Sequence, residues 1–92
     1  QMFFDNQKYF QFVQHCRDHG IQIPIIPGLK VLATKKQLEI LPKIFFLDMP
    51  EDLQKAVASC ADDKAAKEIG IEWCVQQCRE LVEFGVPALH FY

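Results

Sequence analysis

"GIQIPIIPG", Gly20 to Gly28, is the stretch whose reading decides the fold. Ile21, Ile23, Ile25 and Ile26 make a short β-branched run closed by Pro27 and Gly28, the pattern of a buried parallel strand and its exit loop. Pro24 constrains that reading, because proline cannot donate to a strand ladder. It marks the first residues of the strand or an irregular entry to it, not its centre.

Upstream, Gln1 to Phe4 reads as a strand, and Asp5 as the N-cap of a helix whose apolar stripe is Tyr9, Val13 and Cys16, flanked by Phe10 and Phe12. Gly20 ends that helix. Downstream, Thr34 and Gln37 have the spacing of a capping box, so a short helix starts there and is expected to stop by Pro42. A loop or helical turn then runs through Phe46. Pro50 suits the first turn of a helix with Leu53, Val57 and Cys60 on its core face. The longest helical pattern, residues 62–85, has acidic residues in its first turn and Ile69, Trp73, Cys74, Cys78, Leu81 and Phe84 at helical intervals, with Gly85 closing it. "GVPALHFY", Gly85 to Tyr92, is a turn followed by a strand over Ala88 to Tyr92.

Strands joined by helices run parallel, because each crossover returns the chain to the same edge. The class is therefore α/β. Three parallel strands leave faces and edges uncovered, and both ends of the chain read as cut, so residues 1–92 are expected to form a single incomplete segment of something larger. An eight-stranded α/β barrel takes about 250 residues. No repeat, low-complexity stretch or linker divides the chain.

Composition narrows the function. Half of the 92 residues are hydrophobic, and 10 basic against 12 acidic side chains leave a net charge of −2, which gives no basic face for nucleic acid. The longest apolar run without a charge, "GIQIPIIPGL", holds two prolines and falls short of the roughly 20 residues of a membrane span. No basic region precedes an apolar stretch at the N-terminus, so no signal peptide is read, and the expected location is the cytoplasm. Four cysteines (Cys16, Cys60, Cys74 and Cys78) all fall in helical segments and are expected to be reduced, metal-free thiols. His15 and His19 in "HCRDH" share a helix face, as do Cys74 and Cys78. Zinc would need four convergent ligands, and no spacing brings the two clusters together.

"QMFFD" (1–5), "IPIIPGL" (23–29), "DDKAAKEIGI" (62–71) and "GVPALHFY" (85–92), in this order and spacing, resemble the C-terminal third of the methylenetetrahydrofolate reductases. The resemblance covers essentially the whole chain. It implies a partial (β/α)8 TIM barrel holding about strands six to eight. The activity it implies for the intact parent is reduction of methylenetetrahydrofolate to methyltetrahydrofolate, with FAD and NAD(P)H as cofactors and folate as substrate. Gln1 matches the family's glutamine that hydrogen-bonds the substrate ring, a job for a neutral side chain with both donor and acceptor. Gln37 and Leu41, one helical turn apart, match positions near the tail and aminobenzoyl portion of folate. Leu41 stands where the family often has phenylalanine, and Val31 where its loop often has a second proline. Tyr92, at the mouth of the last strand, completes the implied substrate-binding set, with His90 on the same side of the strand.

No catalytic, cofactor-binding or metal-binding residue is assigned within the chain. The acidic residues that polarise folate and flavin, and nearly all the FAD-binding groups, belong by this resemblance to the first five strands. The isolated chain is therefore expected to carry neither flavin nor activity, and its bare strand edges and apolar sheet face are expected to drive self-association. Two alternatives stand beside this reading. One is a stand-alone, non-catalytic α/β interaction module that binds through its open sheet edges. The other is a small metal-binding protein using "HCRDH" and the cysteine pair.

Overall fold

The computed structural model describes residues 2–92, so Gln1 lies outside the described residues. The elements are α1 (Asn6–Asp18), β1 (Gly28–Leu29), α2 (Gln37–Phe45), α3 (Glu51–Ala58), α4 (Asp63–Phe84) and β2 (His90–Phe91). β1 pairs with β2 in parallel, Gly28 opposite His90 and Leu29 opposite Phe91. Met2 adds a parallel bridge to Gly28, which leaves Gly28 flanked by Met2 and His90. Helices fill both crossovers, as parallel pairing requires, and the class is α/β.

The ladder falls on Gly28 and Leu29, not on the isoleucine run before them, and the expected five-residue final strand pairs only at His90 and Phe91. The isoleucine run makes other bonds. Pro24 and Pro27 have no N–H to give, the Arg17 guanidinium donates to the carbonyls of Ile21 (2.8 Å) and Ile23 (3.0 Å), and the Tyr9 hydroxyl donates to the Ile25 carbonyl at 2.6 Å. Residues 21–27 form a strap tied to α1. Pro27 still contributes its carbonyl, which accepts from the His90 N–H at 3.0 Å, while the Tyr92 N–H donates to Leu29 at 2.9 Å.

Local chemistry sets the helix ends. Asp5 caps α1 by accepting from the Gln7 N–H at 2.9 Å, and Asp62 caps α4 by accepting from the Ala65 N–H at 2.9 Å. α1 and α4 close with the same glycine motif. Gly20 (φ 80°) donates to Arg17 while Ile21 donates to Cys16, and Gly85 (φ 95°) donates to Val82 while Val86 donates to Leu81. These are the paired 5→2 and 6→1 bonds of a Schellman ending, with glycine at the left-handed position. α2 does not stop at Pro42 but runs on to Phe45, and the chain turns at Phe46 in the left-handed region (φ 53°). The lost Pro42 N–H removes one intrahelical bond, while Leu38 and Leu41 pack on the core and hold the turn through it.

The core has two parts. Met2, Phe4, Leu32, Leu41, Leu53 and Val57 are among the residues packed under α2 and α3, and Tyr9, Val13, Leu29, Cys74 and Leu81 pack between α1, the sheet and α4. α4 serves both, giving Ala66 to the first and Cys74 and Leu81 to the second. Its buried line is Ala66, Gly70, Cys74, Gln77 and Leu81, whereas Ile69, Trp73 and Cys78 are half-buried and Phe84 is exposed. The face is turned toward small residues because α4 lies directly on backbone, and a Cβ at Gly70 would overlap the Leu32 carbonyl oxygen. Among the described residues, no helix is long and apolar enough to cross a membrane.

Candidate functional site at the strand ends

Parallel strands deliver their C-terminal ends to one edge, and in folds of this class ligands sit there. Here that edge is formed by Phe3 and Phe4, by Lys30 after β1, and by Tyr92 after β2. The ring of Tyr92 lies over Gly28, where a Cβ would stand 2.7 Å from its Cε2 and 3.0 Å from its hydroxyl oxygen. His90 meets the same ring edge-on, with centroids 4.9 Å apart and planes at 87°. Both side chains are exposed, so the strand ends present an aromatic pair beside a bare backbone position.

The loop from Lys30 to Lys36 is shaped by Gln37. Its Oε1 accepts from the N–H groups of Ala33 (2.7 Å) and Thr34 (3.3 Å), and its own N–H donates to Thr34 Oγ1 at 3.2 Å. This is the reciprocal capping box, with one extra loop bond. Lys35 fastens the loop to the start of α4, its N–H donating to Asp63 Oδ1 at 3.0 Å and its Nζ to the Cys60 carbonyl at 2.8 Å. Leu32 is fully buried under Gly70. Val31, in place of the second proline, packs against the cluster around Leu29 and Cys74.

The residues singled out from sequence therefore occupy three different settings. Gln37 stands at the β1 loop with its amide oxygen committed to backbone donors. Leu41, one turn on, is buried in the core rather than on an open surface. Tyr92 is exposed at the sheet edge, and Gln1 lies outside the described residues.

The expected strand at the start of the chain is reduced, among the described residues, to the single bridge at Met2, and sequence reasoning missed a polar clamp on Phe3 and Phe4 just after it. Asn6 Nδ2 donates to the Gln77 carbonyl (3.2 Å) and to Glu80 Oε1 (2.9 Å), and Gln77 Nε2 donates to Asn6 Oδ1 (3.0 Å) and the Phe3 carbonyl (3.3 Å). Trp73 Nε1 donates to the Phe4 carbonyl at 2.8 Å. Asn6 and Gln77 are buried, and Gln77 Oε1 has no partner. Periodicity could not reveal a polar pair on an apolar stripe. The available signal was Asn6 directly after an N-cap.

The histidine pair lies elsewhere. The exposed rings of His15 and His19 have centroids 4.4 Å apart, while Cys16 between them is buried. Among the described residues no three His, Cys, Asp or Glu side chains converge on a metal-sized site. The four cysteines are free thiols. Burial first, then the neighbouring Cys78, pushes the Cys74 thiol up to about 11. Burial also raises the Tyr9 phenol, against the pull of Arg17.

Comparison with known proteins gives this geometry its context. The family model described as methylenetetrahydrofolate reductase matches residues 1–92. A probable methylenetetrahydrofolate reductase (NADPH) of Caenorhabditis elegans is 32% identical over 94 residues, covering all of this chain and 14% of the relative. Methylenetetrahydrofolate reductase (NADH) 1 of Arabidopsis thaliana is 30% identical over 93 residues, covering the whole chain and 16% of the relative. The 5,10-methylenetetrahydrofolate reductase of Escherichia coli is 28% identical, again over the whole chain and 31% of the relative. The chain thus spans under a third of the length of each of these relatives, and a match along its entire length places it in the methylenetetrahydrofolate reductase family of oxidoreductases.

Proposed function

We propose that this chain supplies about the sixth, seventh and eighth strands of a (β/α)8 barrel in a methylenetetrahydrofolate reductase, and that its strand ends form part of the folate-binding side. The observation that carries the reading is the parallel order Met2, β1, β2, with helices in each crossover, in a chain matched to the family from end to end. The parent reaction is NAD(P)H-dependent reduction of methylenetetrahydrofolate to methyltetrahydrofolate, with FAD supplying the hydride-transfer chemistry when bound.

Within that reaction the work of this chain is binding and orientation. Gln37 fixes the loop after β1, Leu41 anchors α2 behind it, Tyr92 offers an exposed ring, and Gln1 is assigned the hydrogen bond to the substrate ring. The described residues do not fit a flavin dinucleotide by themselves. A groove of about 620 Å³ is apolar, with Arg79 offset by Glu83, a cleft of about 280 Å³ carries Asp5 and Glu80, the wrong charge for a diphosphate, and a cleft of about 310 Å³ has Lys8 as its one charged lining residue. No hydride-transfer step is assigned to them.

The chain alone is accordingly inactive and flavin-free, works in the cytoplasm as part of its parent, and self-associates through its open strand edges and exposed apolar side chains such as Phe12, Ile26 and Phe46. An absorbance spectrum of the purified chain incubated with FAD tests this. The expected result is no flavin band eluting with the protein; a stoichiometric band would contradict it. Light scattering checks the association, and a monomer mass near 10.7 kDa would refute that part.

A further inference from the structure

Cys74 and Cys78 stand one turn apart on α4, and both line the 620 Å³ apolar groove, whose walls include Val31, Ile71, Val75 and Phe91. Side chains four apart on a helix have Cβ atoms about 5–6 Å from one another, and both thiols face the same groove. Cys78 is half-buried and Cys74 nearly covered, and both line the groove, so a reagent meets Cys78 first and closes onto Cys74. A disulfide would strain the helix, because i, i+4 side chains seldom take the required geometry. A larger atom that bonds both sulfurs spans the gap without drawing the backbone together. We propose that Cys74 and Cys78 form a bidentate dithiol site for aryl compounds of trivalent arsenic, with the aromatic ring seated among the apolar walls of the groove. The reaction is a condensation. Arylarsine oxide exchanges its oxygen for the two sulfurs, both thiol protons leave in one water molecule, and nothing is oxidised or reduced. The soft thiolate preference of such centres follows the same logic as for soft metals.

Phenylarsine oxide, added in equimolar amount to the folded chain, is the probe. Intact mass should rise by one phenylarsenic group less two hydrogens per chain. Cleavage after Lys67 and Arg79 yields the peptide 68–79, which holds Cys74 and Cys78 and no other cysteine, and the adduct should reside there. It should survive Cys60→Ser and be lost in Cys78→Ser. Because the folded helix holds the two sulfurs one turn apart, the reagent should bind the folded chain more tightly than the unfolded one and raise the melting temperature of the unaltered chain, a readout that does not depend on any variant folding. An adduct on another peptide, one that persists in Cys78→Ser, one formed only in denaturant, or no adduct at all would overturn the proposal.

Discussion

Tyr92 lies across the backbone of Gly28, so close that a Cβ at Gly28 would meet its ring at 2.7 Å. The obstacle is the far end of a flexible, exposed side chain, and the ring can swing away. Gly28 is buried between Met2 and His90, yet the nearest atoms the added methyl meets are those of the ring, so Gly28→Ala should cost no more than about 1 kcal/mol. The effect should appear in the ring, as a loss of the close Tyr92 contacts to residue 28 and His90 in proton NMR. Unchanged ring contacts would contradict the placement.

Gly70 makes the opposite case. A side chain there would run into the Leu32 carbonyl oxygen, which is backbone beneath a fully buried residue. Alanine is the better helix former by about 1 kcal/mol, yet Gly70→Ala should be destabilising by roughly 1–3 kcal/mol through overpacking. Urea unfolding decides the sign. A more stable variant would mean that α4 does not rest on the β1 loop.

The Asn6–Gln77 clamp should be visible energetically. Asn6→Ala leaves Gln77 Nε2 with only the longer bond to Phe3 and removes the Asn6 bond to Glu80, so the expected loss is about 1–3 kcal/mol for buried polar atoms left short of partners. Exchange of the backbone amides near Phe4 should quicken in the same variant. A neutral substitution would show that the clamp holds nothing.

The Cys74 thiol sets a pH dependence. Its value rises in the folded chain from 9.0 to about 11, so above the ordinary value the unfolded chain gives up a proton that the native chain keeps. Stability is then complete below pH 9.0 and falls as pH climbs toward about 11. Tyr9, also raised, adds to the decline at the alkaline end. Melting temperatures should drop over this range and drop less steeply in Cys74→Ser. An equal slope would assign the effect to other groups.

How far the sequence could be read depended on what each element answers to. Where local chemistry decides, as in the Asp5 cap and the Gly20 and Gly85 endings, residue types alone located the helix ends; the Thr34–Gln37 box forms, but as a turn leading into α2, which begins at Gln37. The isoleucine run failed as a strand because its partners are distant: whether Ile25 bonds a neighbouring strand or the Tyr9 hydroxyl is a tertiary question. Pro42 misled in the same way, since packing of Leu38 and Leu41 overrides the lost bond. At the candidate site, the family motif singled out Tyr92 and Gln37 but could not reveal that the Gln37 amide is committed to the loop, that Leu41 is core, or that Asn6 and Gln77 hold the chain after Met2.

The central claim is that these strand ends form part of the folate-binding side of a methylenetetrahydrofolate reductase, and steady-state kinetics of the intact enzyme carrying Tyr92→Ala test it most directly. The ring is exposed and its removal opens no core cavity, so the protein should fold normally. The KM for methylenetetrahydrofolate should rise about tenfold, equivalent to about 1.4 kcal/mol of lost binding. A folate KM equal to that of the unaltered enzyme would contradict the account.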